Sequence, residues 1–173
     1  VEPALEAAGV KFLGAIPEDR RLVASTVRQI SEHLDGTITQ WDAHSDELID
    51  NVLLGGMVID WGVHYFASQE NVAVIIRGDR PDIQMAALAT PIKGLILTEG
   101  IEPLEYVHYE ADQEEVPVTV VKSGTHDATT KLETLLDTVQ FAHPDKLTRL
   151  QELAADTIDF DAIQEALAQP ATG

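Results

Sequence analysis

Two short apolar runs, separated by a polar loop and a helix-like stretch, form the clearest pattern in the chain. Val72–Ile76 is almost wholly apolar and rich in β-branched residues, which is typical of a strand buried on both faces. Gly94–Thr98 is a second such run, and the residues between the runs have helical spacing, with Pro81 suited to a first turn. A strand, a crossover helix and a second strand within about thirty residues predict a βαβ unit of a parallel sheet.

The same two periodicities predict further elements on both sides of this unit. Ser25 or Thr26 is a candidate cap for a helix that runs to Leu34. Strands are expected at 10–16, 37–41, 48–54 and 116–121, and helices at 104–113, from Thr129 or Thr130 to Val139, and at 146–155. The pattern therefore predicts an α/β fold with a mostly parallel sheet, built from βαβ units with flanking helices, and a short helical C-terminal tail.

Helical spacing also predicts which side chains of two of these helices face the core. In the helix at 104–113, Leu104 and Val107 are expected to point inward, with Tyr106 as a further candidate. In the later helix the expected apolar face consists of Leu132, Leu135, Leu136 and Val139.

Polar residues follow several of the predicted strands at the points where they end. Because the carboxyl ends of parallel strands share one edge of a sheet, where ligands of open α/β sheets bind, loops 78–82, 98–100 and 123–130 are expected to converge there. Two glycines end another strand, where they form either a simple turn or a backbone surface that faces a ligand. The candidate ligand-binding residues are Gly78, Asp79, Arg80, Asp82, Thr98, Gly100, Gly55, Gly56 and Thr125.

The loop after Val72–Ile76 allows two roles for Arg80. Its guanidinium forms an ion pair with Asp79 or Asp82, or it binds a phosphate or carboxylate of a ligand. Asp79 stands just before the predicted helix and is expected to cap its free N–H groups.

Composition narrows the classes of partner. The chain has 30 acidic and 11 basic residues, a net charge of -19, and no cysteine. We therefore expect no nucleic-acid partner, no anionic membrane partner and no thiol chemistry. The acidity is typical of a protein from a salt-rich cytoplasm, with an acidic protein of an ordinary cytoplasm as the alternative.

The chain contains none of the following local motifs that indicate catalysis. It lacks a P-loop, a glycine-rich dinucleotide loop and a G-x-S-x-G turn. The nearest approaches to metal-ligand spacing are Asp42 with His44 and His126 with Asp127, and His64 is expected to be a packed or surface residue. We therefore expect no catalytic residue, no metal and no cofactor.

The G-D-R-x-D loop and the later L-T-x-G loop together resemble the DRTGG domain. The matching residues are Asp79, Arg80, Thr98 and Gly100, whereas Glu99 stands where the family motif has glycine and adds a negative side chain. Smaller matches are Gly55, Met57 and Thr125, with Gly56 in place of an alanine and Gly124 in place of an aspartate. The resemblance covers about residues 17–139.

The resemblance also organises the chain into segments. Residues 1–16 are expected to be a lead-in helix and strand, either the remnant of a preceding P-loop domain or part of the same domain. Residues 17–140 are the DRTGG-like domain. Residues 144–168 are a helical tail that packs on its own domain or on a second subunit, with Asp159 as a candidate cap for its last helix.

The family accompanies phosphotransacetylases, dethiobiotin-synthetase-like P-loop domains and some CBS-domain proteins. The resemblance implies a non-catalytic regulatory or oligomerising module, expected to be a cytoplasmic homodimer that senses a small anionic metabolite or a nucleotide. A phosphotransacetylase or P-loop domain is the expected partner. A pure protein-interaction domain and an accessory subunit of an acyl- or phosphate-transfer enzyme are the alternatives.

Overall fold

The computed structural model describes residues 2–56, 59–139 and 141–168, except for the side chains of 59–61. The family match expected at Met57 therefore lies outside the described residues. The chain divides into two compact units, one made of residues from 23 to 139 and one that joins residues 2–22 to 141–168.

A five-stranded sheet forms the centre of the larger unit. Its strand order is β2-β7-β6-β5-β4, in which β4 to β7 are parallel and β2 is antiparallel at one edge. Two further short strands, β1 and β3, pair with each other. The strands are β1 Ser25–Thr26, β2 Thr37–Gln40, β3 Leu48–Ile49, β4 Asn51–Gly55, β5 Val72–Arg77, β6 Gly94–Thr98 and β7 Val118–Val120. The predicted α/β class and mostly parallel sheet are confirmed.

Helices of the larger unit cover both faces of this sheet. The helices along the chain are α1 Glu2–Ala7, α2 Arg20–Val23, α3 Val27–His33, α4 Ile59–Phe66, α5 Pro81–Leu88, α6 Glu105–Gln113, α7 Thr125–Leu132, α8 Pro144–Thr157 and α9 Phe160–Ala168, with 3-10 turns at Asp42–His44 and Leu135–Asp137. The predicted cap of α3 is confirmed, because the Thr26 hydroxyl accepts the Gln29 N–H while the Gln29 side chain accepts the Thr26 N–H.

The core lies on both faces of β5 and β6. Val74 and Ile76 of β5 belong to the cluster under α5 and α6, whereas Ala73 and Ile75 belong to the cluster under α3 and α7. Both strands are buried on both faces, as their continuous apolar runs predict. Burial of both faces makes these strands a fixed platform for the loops that follow them.

Two predicted strands differ from the structure because pairing depends on distant residues. The run 10–16 is not a strand, since only Gly14 forms a bridge, with Ile158, and no ladder extends from it. The run 48–54 is divided at Asp50 between two sheets, because β3 pairs with β1 and β4 pairs with β5.

The helix predicted to start at Thr129 or Thr130 begins earlier and ends earlier. It starts at Thr125, where Gly124 supplies an extended N-cap, and its last residue is Leu132. Leu136 then stands on a 3-10 turn and is 66% exposed. Leu104 and Tyr106 are also about half exposed instead of buried, and Val107 and Ala111 supply the inner face of α6.

The smaller unit consists of α1, α8, α9 and the segments that connect them. Leu153 and Lys146 are buried, and the Arg149 Nη2 atom lies 2.7 Å from the Asp19 carboxylate. The predicted cap at Asp159 is confirmed by its bond to the Ala162 N–H. Among the residues that the structure describes, no helix is both long and apolar enough to cross a bilayer.

Candidate functional site

Four parallel strands end at one edge of the sheet. Their last residues are Gly55, Arg77, Thr98 and Val120, and the register pairs Arg77 with Thr98. Residues 78–82, 98–100 and 123–130 follow three of these strands and are called the loop cluster below.

The first loop of the cluster is held against the second by close backbone contact. The Gly78 N–H donates to the Thr98 carbonyl at 3.1 Å. A Cβ placed on Gly78 would lie 2.5 Å from the Ile101 carbonyl oxygen, so this position has no room for a side chain.

Gln84, which belongs to none of the sequence motifs, supports the same loop from below. Its side chain is fully buried in α5, and its Nε2 atom donates to the carbonyl oxygens of Arg77 and Gly78 at 3.0 and 3.1 Å. Its Oε1 atom has no hydrogen-bond partner within the described part of the chain. A polar residue one turn into a helix that follows a glycine loop is the only sequence signal for this role.

Arg77, the last residue of β5, and Arg80, in the first loop, are both paired with carboxylates. Arg77 binds Asp79 through two contacts, of 2.6 and 3.0 Å, and Arg80 binds Asp82 in the same way, at 2.7 and 2.9 Å. The prediction that Asp79 caps α5 is wrong, because Arg80 is the N-cap residue and no side chain caps the helix. Of the two ion pairs considered for Arg80, the structure contains the one with Asp82.

The Arg80–Asp82 pair stabilises the charged form of each partner. The hydrogen bond from Arg80 lowers the pKa of the Asp82 carboxyl, while the hydrogen bond to Asp82 raises the pKa of the Arg80 guanidinium. The side chains are 40% and 34% exposed, so water weakens the attraction without removing it.

Glu99 and Gly100 turn the second loop through left-handed backbone. Their φ angles are 68° and 66°, and their N–H groups donate to the carbonyl oxygens of Ser123 and Val121. Left-handed backbone costs a residue with a side chain about 1–2 kcal/mol, and glycine avoids this cost. Glu99 therefore stands in a position that favours glycine, and neither N–H is free to bind an anion.

The second and third loops meet at two threonines. The Thr98 hydroxyl, which is fully buried, lies 2.7 Å from the hydroxyl of Thr125, the first residue of α7. No side chain caps this helix, and the Glu99 carboxylate lies nearby, with its Oε1 atom 3.4 Å from the position of a Cβ on Gly124. The cluster thus combines a helix N-terminus, which favours negative charge, with a carboxylate of the chain itself.

The two glycines that end β4 differ in their surroundings. A Cβ on Gly55 would lie 2.6 Å from Ile76 Cγ1 and 3.2 Å from Ile83 Cγ2, so Gly55 allows β4 to pack against β5 and α5. A Cβ on Gly56 would meet no atom within 4 Å. Neither glycine has positive φ.

A cavity of about 260 Å³ adjoins the loop cluster. Lys122 and Lys131 lie in its wall, and Lys131 forms an ion pair with Asp35. The Lys122 ammonium has no hydrogen bond or ion pair within the described residues, and the Lys122 Cα lies 3.7 Å from a Cβ placed on Gly100. The complete lining is Leu34, Asp35, Lys122, Ser123, Asp127 and Lys131. Lys122 is absent from the residues predicted from sequence because it stands before the polar loop.

Asp42 and His44, one of the two pairs with metal-ligand spacing, have other partners. Asp42 binds Arg28 at 2.8 Å, and the His44 Nδ1 atom lies 3.2 Å from Glu47. The described residues contain no group of three or more side chains arranged to hold a metal ion. His64 is exposed on α4.

A solved structure of another protein has a similar architecture. It is the regulatory region of Clostridium perfringens pyrophosphatase, with CBS and DRTGG domains, complexed with an activator, diadenosine tetraphosphate. The two chains superpose with a TM-score of 0.53 at 12% identity, over 86% of this chain and 79% of the other. At this identity the likeness shows a common fold alone.

Sequence relatives include phosphate acetyltransferases. The enzyme of Pseudomonas aeruginosa is 24% identical over 92% of this chain, that of Nitratidesulfovibrio vulgaris 27% over 72%, and that of Escherichia coli 24% over 97%. The chain spans only about a quarter of the length of these enzymes, between 19% and 25%. The model of the DRTGG domain matches residues 29–135, which is more than half of the chain. The chain belongs to the DRTGG domain family.

Proposed function

We propose that this chain is a non-catalytic regulatory module that binds a small anionic metabolite at the loop cluster, with nucleotides as the first class to test. The observation that carries the proposal is the direct contact of three polar loops at the carboxyl edge of the sheet, fastened by the Thr98–Thr125 hydrogen bond. This edge is where open α/β sheets bind ligands.

Two features, one in the loop cluster and one next to it, suit an anion. The N-terminus of α7 has no side-chain cap, so its first N–H groups carry partial positive charge without a fixed partner. Lys122 adds a full positive charge that no described residue neutralises. Arg80 contributes only if a ligand competes with Asp82 for its guanidinium, and phosphate suits this because it accepts the same bidentate contacts.

The comparisons support the regulatory part of the proposal. The related fold in pyrophosphatase belongs to a regulatory region, and an activator with four phosphates is present in that complex. The phosphate acetyltransferases contain a segment similar to this chain within much longer enzymes. We infer that this chain acts beside a phosphotransacetylase or P-loop catalytic domain, as a homodimer in a salt-rich cytoplasm.

A pure interaction domain is the second candidate, and one observation favours it. Asp79 and Asp82 already neutralise Arg77 and Arg80, so the first loop holds its shape without a ligand. In that case Arg80→Ala lowers the free energy of unfolding while no metabolite changes it. An accessory subunit of a transfer enzyme is the third candidate, and it predicts activity only when the catalytic chain is added.

Thermal unfolding in molar KCl tests the proposal with a panel of AMP, ADP, ATP, NADH, acetyl-CoA, acetyl phosphate and pyruvate. A ligand at a hundred times its dissociation constant adds roughly 2.7 kcal/mol to the free energy of unfolding. We expect a rise in Tm for the wild type that shrinks in Lys122→Ala and Arg80→Ala. Lys11→Ala, which changes an exposed lysine of the smaller unit, is the matched control and keeps the full rise.

The outcomes separate the candidates. A flat panel for the wild type overturns ligand sensing and leaves the interaction domain and the accessory subunit as candidates. A rise that both Lys122→Ala and Arg80→Ala retain in full overturns the loop cluster as the binding site.

A further inference from the structure

The edge strand β4 presents apolar side chains to solvent. Val52 and Leu54 are 38% and 44% exposed, although strands β5 and β6 beside them are almost fully buried. The two residues are separated by one position, so they lie on the same face of the sheet. Leu53 between them packs on the opposite face, against the core under α5 and α6.

A groove of about 310 Å³ runs along this exposed face. It lies between β4 and α7, with Ile75 beneath it and Leu132 beside it, and is named the edge groove here. Its complete lining is Val52, Leu53, Leu54, Ile75, Thr129, Leu132 and Glu133. Glu133 is the one charged side chain in this lining, so the groove is mainly apolar.

The two edges of the sheet differ in how they resist further pairing. β2, at the far edge, is antiparallel, and its register with β7 shifts between Ile38 and Gln40. Such an irregularity hinders the pairing of an edge strand with another chain. β4 pairs with β5 in unbroken register over 51–55 and contains no proline and no charged residue. An uncharged, regular and apolar edge is a template for another strand.

The distribution of charge on this chain favours a second copy as the partner at this edge. The chain carries -19 overall, so two copies repel each other through most of their acidic surface. Strand β4 is uncharged, and a contact centred on it brings two copies together with little repulsion. A partner selected by charge would be basic and would favour the acidic surface elsewhere.

We propose that β4 of one protomer pairs antiparallel with β4 of a second copy, about a two-fold axis at Leu53. This inference rests on the homodimer of the proposed function and assigns its contact surface. Antiparallel pairing about Leu53 places Val52 opposite Leu54 of the second copy, on the same face, and joins two five-stranded sheets into one. The apolar side chains of each copy then cover the other's edge groove.

Engineered cysteines test the register, because the chain has none of its own. Residues directly opposite in an antiparallel pair have Cα atoms about 4.5–5.5 Å apart, within disulfide range, whereas diagonal neighbours lie about 7–8 Å apart. A mixture of Val52→Cys and Leu54→Cys chains under mild oxidation is therefore expected to give a covalent mixed dimer in high yield. Either variant alone is expected to give at least several-fold less.

The oligomeric state supplies an independent measurement. Light scattering in molar KCl is expected to find a dimer for the wild type and at least tenfold weaker association for the double variant Val52→Lys/Leu54→Lys. Leu104→Lys, at another exposed leucine, is the control and leaves the dimer intact. Circular dichroism shows whether each variant is folded, and the cysteine mixture decides the matter if the lysine variant is not.

The results distinguish this inference from the rest of the proposed function. A wild type that is monomeric in molar KCl overturns both the homodimer and the paired edge. A dimer that survives in the folded double lysine variant, without a mixed disulfide, overturns the edge alone. Ligand sensing is judged separately, by the thermal panel on Lys122→Ala.

Discussion

The hydroxyl of Thr98 lies 2.7 Å from the hydroxyl of Thr125, and this hydrogen bond joins the end of β6 to the start of α7. Thr98 is fully buried, whereas Thr125 is partly exposed to solvent. The pair connects two loops that are 27 residues apart in the chain. The strength of this hydrogen bond bears directly on whether the loop cluster is a rigid site.

A double-mutant cycle measures this coupling. Replacing Thr98 by valine keeps the side-chain volume but removes the hydrogen-bond partner of the Thr125 hydroxyl, which then has only water to bind. We expect a loss of about 1–2 kcal/mol in the free energy of unfolding. Adding Thr125→Val to Thr98→Val is expected to cost less than the sum of the single variants. Urea unfolding of the four proteins gives the coupling, and strictly additive losses would show that the contact contributes nothing.

Glu99→Gly is expected to stabilise the protein. The residue has a φ of 68°, and glycine removes a backbone cost of about 1 kcal/mol or more. Glu99→Gln is the matched control, because it removes the charge but keeps the strain. Thermal unfolding of both variants separates the two effects, and equal stabilisation by glutamine would assign the effect to charge instead.

Gly78→Ala is expected to destabilise the first loop, and Gly56→Ala is its control. The new methyl at position 78 meets the Ile101 carbonyl oxygen at 2.5 Å, which backbone movement must relieve at a cost of about 1–3 kcal/mol. The methyl at position 56 meets open space and is expected to change stability by less than about 0.5 kcal/mol. Denaturant titration compares them, and similar values for both would contradict the close contact.

Gln84→Leu is expected to loosen the first loop more than it loosens the core. The variant keeps an apolar shape in α5 but leaves the Arg77 and Gly78 carbonyl oxygens without the donors that Gln84 provides. Hydrogen exchange of the amides at 78–80 and 82–84 is therefore expected to accelerate, while exchange in β6 stays unchanged. Uniform acceleration across the larger unit would show a global loss of stability instead.

Acid is expected to weaken the smaller unit through Asp19. The hydrogen bond from Arg149 lowers the pKa of this carboxyl in the folded protein. A depressed pKa contributes stability above the unfolded value of about 4, and this contribution disappears as pH falls through the folded pKa. Asp19→Asn should therefore flatten the stability curve below about pH 4. Curves of equal slope for wild type and Asp19→Asn would contradict the prediction.

Local patterns alone were enough for the elements whose signals lie within a few residues. The runs that became β5 and β6 are apolar throughout because both faces are buried, and their bounds follow from glycine and proline nearby. The cap at Thr26 depends on Gln29, three residues away. The family resemblance was likewise readable from the sequence, and the model of the DRTGG domain matches residues 29–135.

Tertiary structure decided what depends on distant partners. Residues 10–16 have a strand-like pattern but no ladder to join, and Arg80 pairs with Asp82 while Asp79 pairs with Arg77. The burial of Gln84 and the exposure of Val52 and Leu54 follow from where helices do and do not cover the sheet. Periodicity shows which face of an element is apolar. Strand pairing and the covering of the sheet by helices depend instead on long-range contacts, which no local sequence pattern indicates.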